Sequence, residues 1–340
     1  FITTANSLNM PQPLLDRMEI IRIPGYTEDE KIEIAKRHLL PEQIKEHGLK
    51  EDEFSVSEDA LRSIVRYYTR EAGVRSLKRE VARLARKTLK KIVSKEATSV
   101  DVTSDNIGDL LGVKKFRYGR ADETDQVGTV TGLAWTETGG DILTIEALSM
   151  PGKGGVKITG NLKDVMKESI SAANSYVQAR APELGISPRV FRSTDIHVHV
   201  PEAATPKDGP SAGIGMVTAM VSVLTQIPVR SDIAMTGEVT LRGRVLPIGG
   251  LKEKLLAALR GGIKTVLIPQ ENEKDLADIP ESVKSALEII PVSLVDEVLE
   301  HALTREPTKI EWTASDKAAL AGIIMGTQAT DPALGGGATH

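Results

Sequence analysis

The stretch SAGIGMVTAMVSVLTQ at 211–226 limits most strictly what this chain can fold into. Its length suits a helix, and because it is apolar on nearly every side, that helix has no face suited to water. Such a helix needs a core that surrounds it. The chain has 340 residues, 40% of them hydrophobic, so it can build that core and is long enough for two domains. Only 3% are aromatic, so the core must consist mainly of aliphatic side chains.

The first part of the chain has a helical pattern. Thr27 is followed three residues later by Glu30, which is the spacing of a capping box at a helix start. Apolar residues at helical spacing predict helices over 27–45, 57–69 and 76–93, the last of them strongly basic. The prediction for residues 1–116 is therefore a small all-α domain.

The pattern changes after the charged, apolar-poor stretch at 117–125, which is predicted to be a linker. Two strand-like runs, VGTVTGLAW and ILTIEALSM, flank a glycine-rich turn and predict a β-hairpin. Further strands are predicted at 195–200, 233–236, 264–268 and 288–292, and helices at 161–180, 250–260 and 294–303. We therefore expect a multi-domain chain whose second domain, 126–306, is an α/β or α+β layer fold, followed by a mobile C-terminal tail at 307–340.

Composition narrows the classes of function. A formal net charge of −4 gives no general attraction to nucleic acid or anionic membrane. The absence of cysteine excludes disulfides and cysteine-based sites and fits a reducing compartment, so the predicted location is the cytoplasm. No apolar run reaches the ~20 residues of a membrane span, and no signal peptide is visible. The opening residues resemble the middle of a domain, so we expect a fragment of a longer protein.

The segment PKDGPSAG at 206–213 is the first candidate for chemistry. Its prolines and glycines predict a tight turn that places Ser211 at the start of the apolar helix. A helix start has unpaired N–H groups and a partial positive charge, which could stabilise an oxyanion beside a serine nucleophile. The alternative interpretation is that Ser211 only caps the helix.

A serine nucleophile needs a base, and Lys254 is the candidate. The stretch IGGLKEKLLAALRGG at 248–262 contains the helix predicted over 250–260, in which Lys254 shares the apolar face with Leu251, Leu255 and Ala258. Burial would lower its pKa by disfavouring the charged form. The alternative is a lysine whose amine extends past the apolar stripe into water.

These two segments carry a resemblance to a known family. PKDGPSAG followed by TGEVTLRGRVLPIGGLKEKLLAALRGG resembles the proteolytic domain of Lon proteases, and the similarity extends over about 120–305. The resemblance implies a serine endopeptidase in which Ser211 attacks the scissile carbonyl and Lys254 is the general base. Thr236 would support the lysine amine, and Asp208 would be a loop acid beside the nucleophile. Trp135 and Glu146 match residues near the substrate groove, although they could simply share one face of the hairpin.

The first domain resembles the end of the AAA+ ATPase module of the same family, its lid. Asn6 matches a residue that senses the γ-phosphate, Arg17 an arginine finger and Arg75 the second sensor arginine. The resemblance implies ATP and Mg²⁺ for the full-length protein, a homo-hexamer, and unfolded, damaged or regulatory proteins as substrates. No G-x-x-x-x-G-K-[ST] loop occurs, and MPGKGG at 150–155 has the wrong spacing. This chain is therefore predicted to be a peptidase without ATPase activity and to need no cofactor for peptide cleavage.

Three alternative functions stay open at the sequence level. Gly209–Gly213 also fits the G-x-S-x-G elbow of α/β-hydrolases, with His301 as the later histidine. PKDGPSAG could instead hold a phosphate, as in small-molecule kinases of the GHMP type. A Lon-like domain could also have lost its chemistry and only assemble, although the presence of both Ser211 and Lys254 argues against this.

Two further patterns favour structural interpretations. The basic helix with Arg79, Arg83, Arg86, Lys87 and Lys90 could bind DNA weakly, but a solvated helix face interspersed with Glu80 explains it as well. His197 and His199 lie on one strand face and could bind a metal with Glu202. No third strong ligand is evident, so we predict a packed or hydrogen-bonded histidine pair and no metal site.

Overall fold

A computed structural model describes residues 2–4, 10–21, 25–116, 124–136, 139–201 and 206–318. Most of the predicted linker, the predicted sensor residue Asn6 and the end of the chain lie outside these ranges. The described elements form two regions with separate hydrophobic cores. The first region has one core, built from residues between Ile32 and Leu111, and the second has two, both built from residues between Val130 and Leu303. The exact domain boundaries stay a prediction.

The first region is mainly helical. Its helices are α1 (Gln12–Leu15), α2 (Glu28–Ile34), α3 (Leu40–Glu46), α4 (Glu58–Tyr67), α5 (Arg75–Val93) and α6 (Ile107–Leu111), and its strands are β1 (Phe54–Val56) and β2 (Val100–Val102). A wider π-helical turn, Ala35–Leu39, joins α2 to α3. The two strands pair in parallel and were not predicted, because three-residue strands give almost no periodic signal.

Local chemistry explains where these helices begin. The Thr27 hydroxyl accepts from the Glu30 N–H at 3.2 Å while the Glu30 carboxylate accepts from the Thr27 N–H at 2.7 Å, so the predicted capping box is present. Ser57 caps α4 by accepting from the Ala60 N–H. Helix α5 has no such cap on its own N-cap residue; instead, the Glu71 carboxylate accepts from the first-turn amides of Ser76 and Leu77.

The second region combines strands and helices, as predicted. Its strands are β3 (Thr129–Thr136), β4 (Gly139–Pro151), β5 (Val156–Thr159), β6 (Thr194–His199), β7 (Ile233–Met235), β8 (Glu238–Val239), β9 (Val245–Leu246), β10 (Thr265–Pro269) and β11 (Glu288–Val292). Its helices are α7 (Asp164–Ala179), α8 (Val190–Ser193), α9 (Gly213–Thr225), α10 (Leu251–Arg260), α11 (Glu281–Lys284) and α12 (Val295–Ala302). Short 3₁₀ segments occupy Pro210–Ala212 and Gln270–Asp278.

Seven of these strands form one mixed sheet in the order β11-β10-β7-β3-β4-β6-β5. The predicted hairpin β3–β4 and the pair β4–β6 are antiparallel, whereas the other neighbours are parallel. Side chains alternate between the two faces of the sheet, so Leu267 joins the core that contains α7, α9 and α12, while Val266 and Ile268 join the core beneath α10. The sheet is therefore covered by helices on both sides at its centre.

Helix α9 lies in the larger of these cores. Every residue from Gly213 to Val223 is buried, which confirms that the apolar stretch needs a surrounding core. None of the helices in the described ranges combines the length and apolar character needed to cross a bilayer. Beyond residue 306, the Ile310 N–H donates to the Pro182 carbonyl, and Arg189 pairs with Asp316.

Candidate active site

A cavity of about 760 Å³ opens at the edge of α10, and it brings together residues that are far apart in the sequence. Ser211 and Lys254, the predicted nucleophile and base, both line it, as does Asp208. The β3–β4 hairpin contributes Trp135 and Asp141 to the same cavity.

Ser211 lies in the 3₁₀ turn Pro210–Ala212 that leads directly into α9. The residue is half-buried. Its carbonyl oxygen accepts two hydrogen bonds, from the Gly237 N–H at 2.8 Å and from the Thr236 hydroxyl at 3.3 Å. The Ser211 N–H is one of the amides that the start of such a turn leaves without a partner inside the helix. The main chain of the serine is therefore fixed against the end of β7.

Lys254 is buried, with only 2% of the residue exposed. The predicted apolar stripe of α10 carries it inward, because Leu251, Leu255 and Ala258 pack into the core beneath the sheet. Burial lowers the pKa of Lys254 from 10.5 to about 8, since the charged amine loses its hydration. No ion pair involves this amine within the described residues, so no neighbouring carboxylate favours its charged form. The interpretation of a lysine extending into water is therefore wrong.

Thr236 links the two predicted catalytic residues. It follows directly after the fully buried strand β7 and continues its pairing through Thr236 N–H to the Leu267 carbonyl. Its hydroxyl oxygen accepts from the Lys254 amine at 3.0 Å and donates to the Ser211 carbonyl. No direct hydrogen bond joins the Ser211 hydroxyl to the Lys254 amine in the described part of the chain. The two groups face one cavity and are positioned by the same threonine.

Asp208 lies on the approach to the serine. Its side chain is exposed, and one carboxylate oxygen accepts from the adjacent Gly209 N–H at 2.9 Å. The preceding residue is fixed, because Lys207 exchanges main-chain hydrogen bonds with Asn161 and Lys163. Asp208 therefore lines the cavity, and among the described residues no hydrogen bond joins its carboxylate to either predicted catalytic group.

Trp135 and Glu146 differ in their positions. Trp135 lines the cavity and lies over the start of α10, where Gly250 has a φ of +69° and a Cβ would come within 2.7 Å of the indole. Only glycine fits that position without strain. Glu146 is exposed beside His199 on the next strand and is not among the described residues that line the cavity.

The residues predicted to sense nucleotide are not brought together with this cavity. Arg17 is exposed just after α1, and Arg75 is exposed as the first residue of α5. Neither lines the cavity that contains Ser211, and Asn6 lies outside the described residues. Their predicted roles toward nucleotide stay predictions.

The structure also shows where the histidines behind the alternative interpretations lie. No histidine is among the described residues that line the cavity, and His301 lies on α12, so the α/β-hydrolase interpretation lacks its base. His197 and His199 both hydrogen-bond the Thr159 hydroxyl, at 2.8 and 2.7 Å. No group of potential metal ligands occurs among the described residues, although Glu202 lies outside them.

The charged residues of α5 suggested a helix face exposed to water, and Glu80 departs from that interpretation. Glu80 is buried and accepts from Lys115 at 2.5 Å, with Arg83 at 3.6 Å. One carboxylate therefore holds part of the basic cluster against the end of the first region, and the assignment of Glu80 to a solvated face is wrong.

Sequence reasoning missed several residues that line the cavity, and Arg70 is the most informative of them. Arg70, from the first region, lines it and forms an ion pair with Asp141 on β4. The signal was not available in the sequence, because the two residues are 71 positions apart and neither belongs to a periodic pattern. Met166 and Pro247, which also line the cavity, were likewise not singled out.

Comparison with known proteins agrees with this architecture. Residues 101–305 match the family model of the Lon protease (S16) C-terminal proteolytic domain, and residues 45–100 match the Lon protease AAA+ ATPase lid domain. The Lon protease of Brucella abortus biovar 1 (strain 9-941) is 70% identical over 316 residues, which cover 93% of this chain and 39% of that protein. The Lon protease of Rhizobium meliloti (strain 1021) is 65% identical over 95% of this chain and 40% of its own length.

The chain therefore belongs to the Lon protease family, with a mostly helical lid domain followed by the α/β proteolytic domain. More distant relatives agree: the Lon protease of Vibrio parahaemolyticus serotype O3:K6 is 60% identical over 92% of this chain. The chain spans about two fifths of the length of these relatives.

Proposed function

We propose that this chain is the peptide-cleaving part of an ATP-dependent serine endopeptidase that uses Ser211 and Lys254 as a catalytic dyad. The observation that carries the proposal is the buried Lys254 amine, which has a pKa lowered to about 8 and faces the cavity that Ser211 lines. A lysine that loses its proton near neutral pH is suited to act as a general base.

The proposed chemistry is acyl transfer. Lys254 takes the proton of the Ser211 hydroxyl, and the serine oxygen attacks the carbonyl carbon of the scissile peptide bond. The resulting oxyanion is stabilised by backbone N–H groups at the start of the 3₁₀ turn, of which Ser211 N–H is a candidate. The protonated lysine then gives its proton to the leaving amine, and the acyl-enzyme is hydrolysed by a water that Lys254 activates.

Thr236 and Asp208 have supporting parts in this proposal. Thr236 holds the lysine amine in place by accepting its hydrogen bond at 3.0 Å, which leaves the amine lone pair free to face the cavity once the proton is lost. Asp208 borders the cavity next to the serine turn, and we assign it to the shape of the loop rather than to proton transfer, because its one hydrogen bond among the described residues is to the adjacent Gly209 N–H.

For the full-length protein we propose ATP and Mg²⁺ as cofactors, with Asn6, Arg17 and Arg75 facing the nucleotide. Unfolded, damaged or regulatory proteins would be its substrates, a homo-hexamer its assembly and the cytoplasm its location. Weak DNA binding by α5 is the least supported of these proposals, because part of its basic cluster is held by the buried Glu80.

The test is cleavage of a short fluorogenic peptide and of unfolded casein by this chain, beside its Ser211→Ala variant, with and without ATP. We expect the wild type to cleave the peptide, Ser211→Ala to be inactive, and ATP to make no difference. Cleavage by Ser211→Ala at the wild-type rate would contradict the proposed nucleophile. Phosphate release from ATP by this chain, measured in the same assay, would contradict the predicted lack of ATPase activity.

A further inference from the structure

The lid domain contacts the proteolytic domain beside the cavity. The Arg70 guanidinium pairs with the Asp141 carboxylate, and both residues line the cavity that Ser211 also lines. Next to this pair, Gly139 faces Ala72, and a Cβ on the glycine would lie at an ordinary van der Waals distance of 3.9 Å from it. The first residues of β4, Gly139–Asp141, therefore lie against the lid segment that contains Arg70.

One of these residues, Gly140, also contacts the helix that carries Lys254. A Cβ on Gly140 would lie 1.8 Å from the Glu253 carbonyl oxygen and 3.0 Å from the main-chain nitrogen of Lys254, so the two backbones are in direct contact. The Gly140 carbonyl also accepts from the Arg260 guanidinium at 2.6 Å. The beginning of β4 is thus held between the lid and α10.

The lid side of this contact is itself fixed. Lys31 is buried, with 6% of the residue exposed, and donates to the main-chain carbonyl of Glu71, the neighbour of Arg70. The Glu71 carboxylate in turn accepts from the amides of Ser76 and Leu77 at the start of α5. Arg70 therefore extends from a segment that is bound at both its main chain and its adjacent side chain.

We propose that Arg70 is a positioning residue of the peptidase site: by pairing with Asp141 it holds the beginning of β4 against α10 and so sets the width of the substrate cleft. This inference rests on the proposed peptidase function. Arg70 does not touch Ser211 or the Lys254 amine, and α10 is fixed by its own core. Loss of the pair should therefore loosen the exposed rim of the cleft and weaken substrate binding more than it slows the chemical step.

The first experiment measures KM and kcat for the fluorogenic peptide in the 340-residue chain. We expect Arg70→Ala and Asp141→Ala each to raise KM about fivefold, the upper end for an exposed ion pair, with kcat changed less than about twofold. The charge swap Arg70→Asp with Asp141→Arg should restore KM to within about twofold, which a general loss of stability would not do. An unchanged KM in Arg70→Ala, or a swap that is no better than the single variants, would overturn the proposal.

The matched control is Lys78→Ala, which removes an ion pair of similar exposure inside the lid, with Glu42 at 2.7 Å and away from the cavity. It should leave KM unchanged. A rise in KM equal to that of Arg70→Ala would show a general effect of the lid and would overturn the proposed role.

A second experiment separates this inference from the proposed function. Hydrogen exchange over 139–145 should be about fivefold faster in Arg70→Ala than in wild type, and unchanged in Lys78→Ala.

If the wild type cleaves and Ser211→Ala does not, the function stands and KM decides the role of Arg70. If the wild type cleaves nothing, the proposed function fails, while exchange at 139–145 still decides whether Arg70 positions β4. Unchanged exchange there would overturn the positioning claim.

Discussion

Two lysines are buried among the described residues, one in each domain, and they make an informative comparison. Lys31 and Lys254 are 6% and 2% exposed, and burial is the first cause that lowers the pKa of each to about 8. Lys31 donates to a main-chain carbonyl and has Glu28 and Glu71 nearby, which favour its charge, while Arg260 opposes it. Lys254 donates to a threonine hydroxyl and borders a cavity shared with a serine.

The comparison teaches that a lowered lysine pKa does not by itself identify a base. Both amines lose their protons in the same pH range, but only Lys254 faces a space where a substrate can bind beside a nucleophile. Geometry therefore distinguishes the catalytic candidate from the structural lysine. The following predictions test that distinction, in order of decreasing effect.

Replacing the two lysines should have very different effects on cleavage. We expect Lys254→Arg to lower kcat/KM for the fluorogenic peptide by about 10³-fold or more, the loss also expected for Ser211→Ala, because arginine does not deprotonate and cannot act as the base. Lys31→Arg should stay within about threefold of wild type. Circular dichroism should show that the variants are folded. More than a tenth of wild-type activity in a folded Lys254→Arg would exclude Lys254 as the general base.

Stability should respond to both lysines, but unequally. At pH 7 the buried Lys254 is mostly charged, and a pKa lowered from 10.5 to about 8 corresponds to about 3 kcal/mol of destabilisation. Lys254→Met should therefore raise the free energy of unfolding of the proteolytic domain by about that amount. Lys31→Met should raise the free energy of unfolding less, because it leaves the Glu71 carbonyl without its donor at a cost of about 1–3 kcal/mol.

Urea unfolding at a series of pH values tests whether the charge of Lys254 destabilises the folded chain. Between pH 8 and 10.5 the unfolded chain binds more protons at Lys254 than the folded chain does, so wild-type stability should rise with pH across that window. The gain in the free energy of unfolding of Lys254→Met over wild type should be complete below pH 8 and should disappear above pH 10.5. An advantage that is independent of pH would mean that packing, rather than charge, is its cause.

Thr236 should matter because it holds the lysine amine. Thr236→Val removes the acceptor at 3.0 Å from the amine, and we expect kcat for the peptide to fall about 10- to 100-fold, the effect of losing a hydrogen bond to a charged group. Thr236→Ser keeps the hydroxyl and should recover most of the rate. The matched control is Thr218→Val, which removes a buried hydroxyl that bonds only within α9 and to Met235. A loss in Thr218→Val as large as in Thr236→Val would assign the effect to packing.

The pH dependence of peptide cleavage should follow Lys254. The base must be neutral, so kcat/KM should rise about tenfold per pH unit below the pKa of about 8 and level off above it. Lys31→Met should leave the midpoint unchanged, although Lys31 has the same pKa. Rates measured between pH 6 and 10 test this, with a peptide that carries no ionisable group. A midpoint that moves in Lys31→Met would mean that the two lysines are coupled.

Several elements could be predicted from the sequence because their signals are local. The capping box at Thr27 and Glu30, the buried stretch of α9 and the inward face of α10 each depend on residues within a few positions of one another. The place of Lys254 on that face followed from the helical period, whereas the burial of its amine was decided by the tertiary structure. The short strands β1, β2, β8 and β9 were missed because two or three residues carry no period.

The sequence by itself therefore determined the two-domain order, the burial of α9 and the inward position of Lys254, because periodicity and chain chemistry act over short distances. Only the tertiary structure decided that Thr236 bonds both the Lys254 amine and the Ser211 carbonyl, since β7 must first pair within the sheet to place it there. It also decided that Arg70 of the lid reaches the same cavity. Contacts between residues 18, 25 and 71 positions apart depend on how the elements pack, and no local pattern records that.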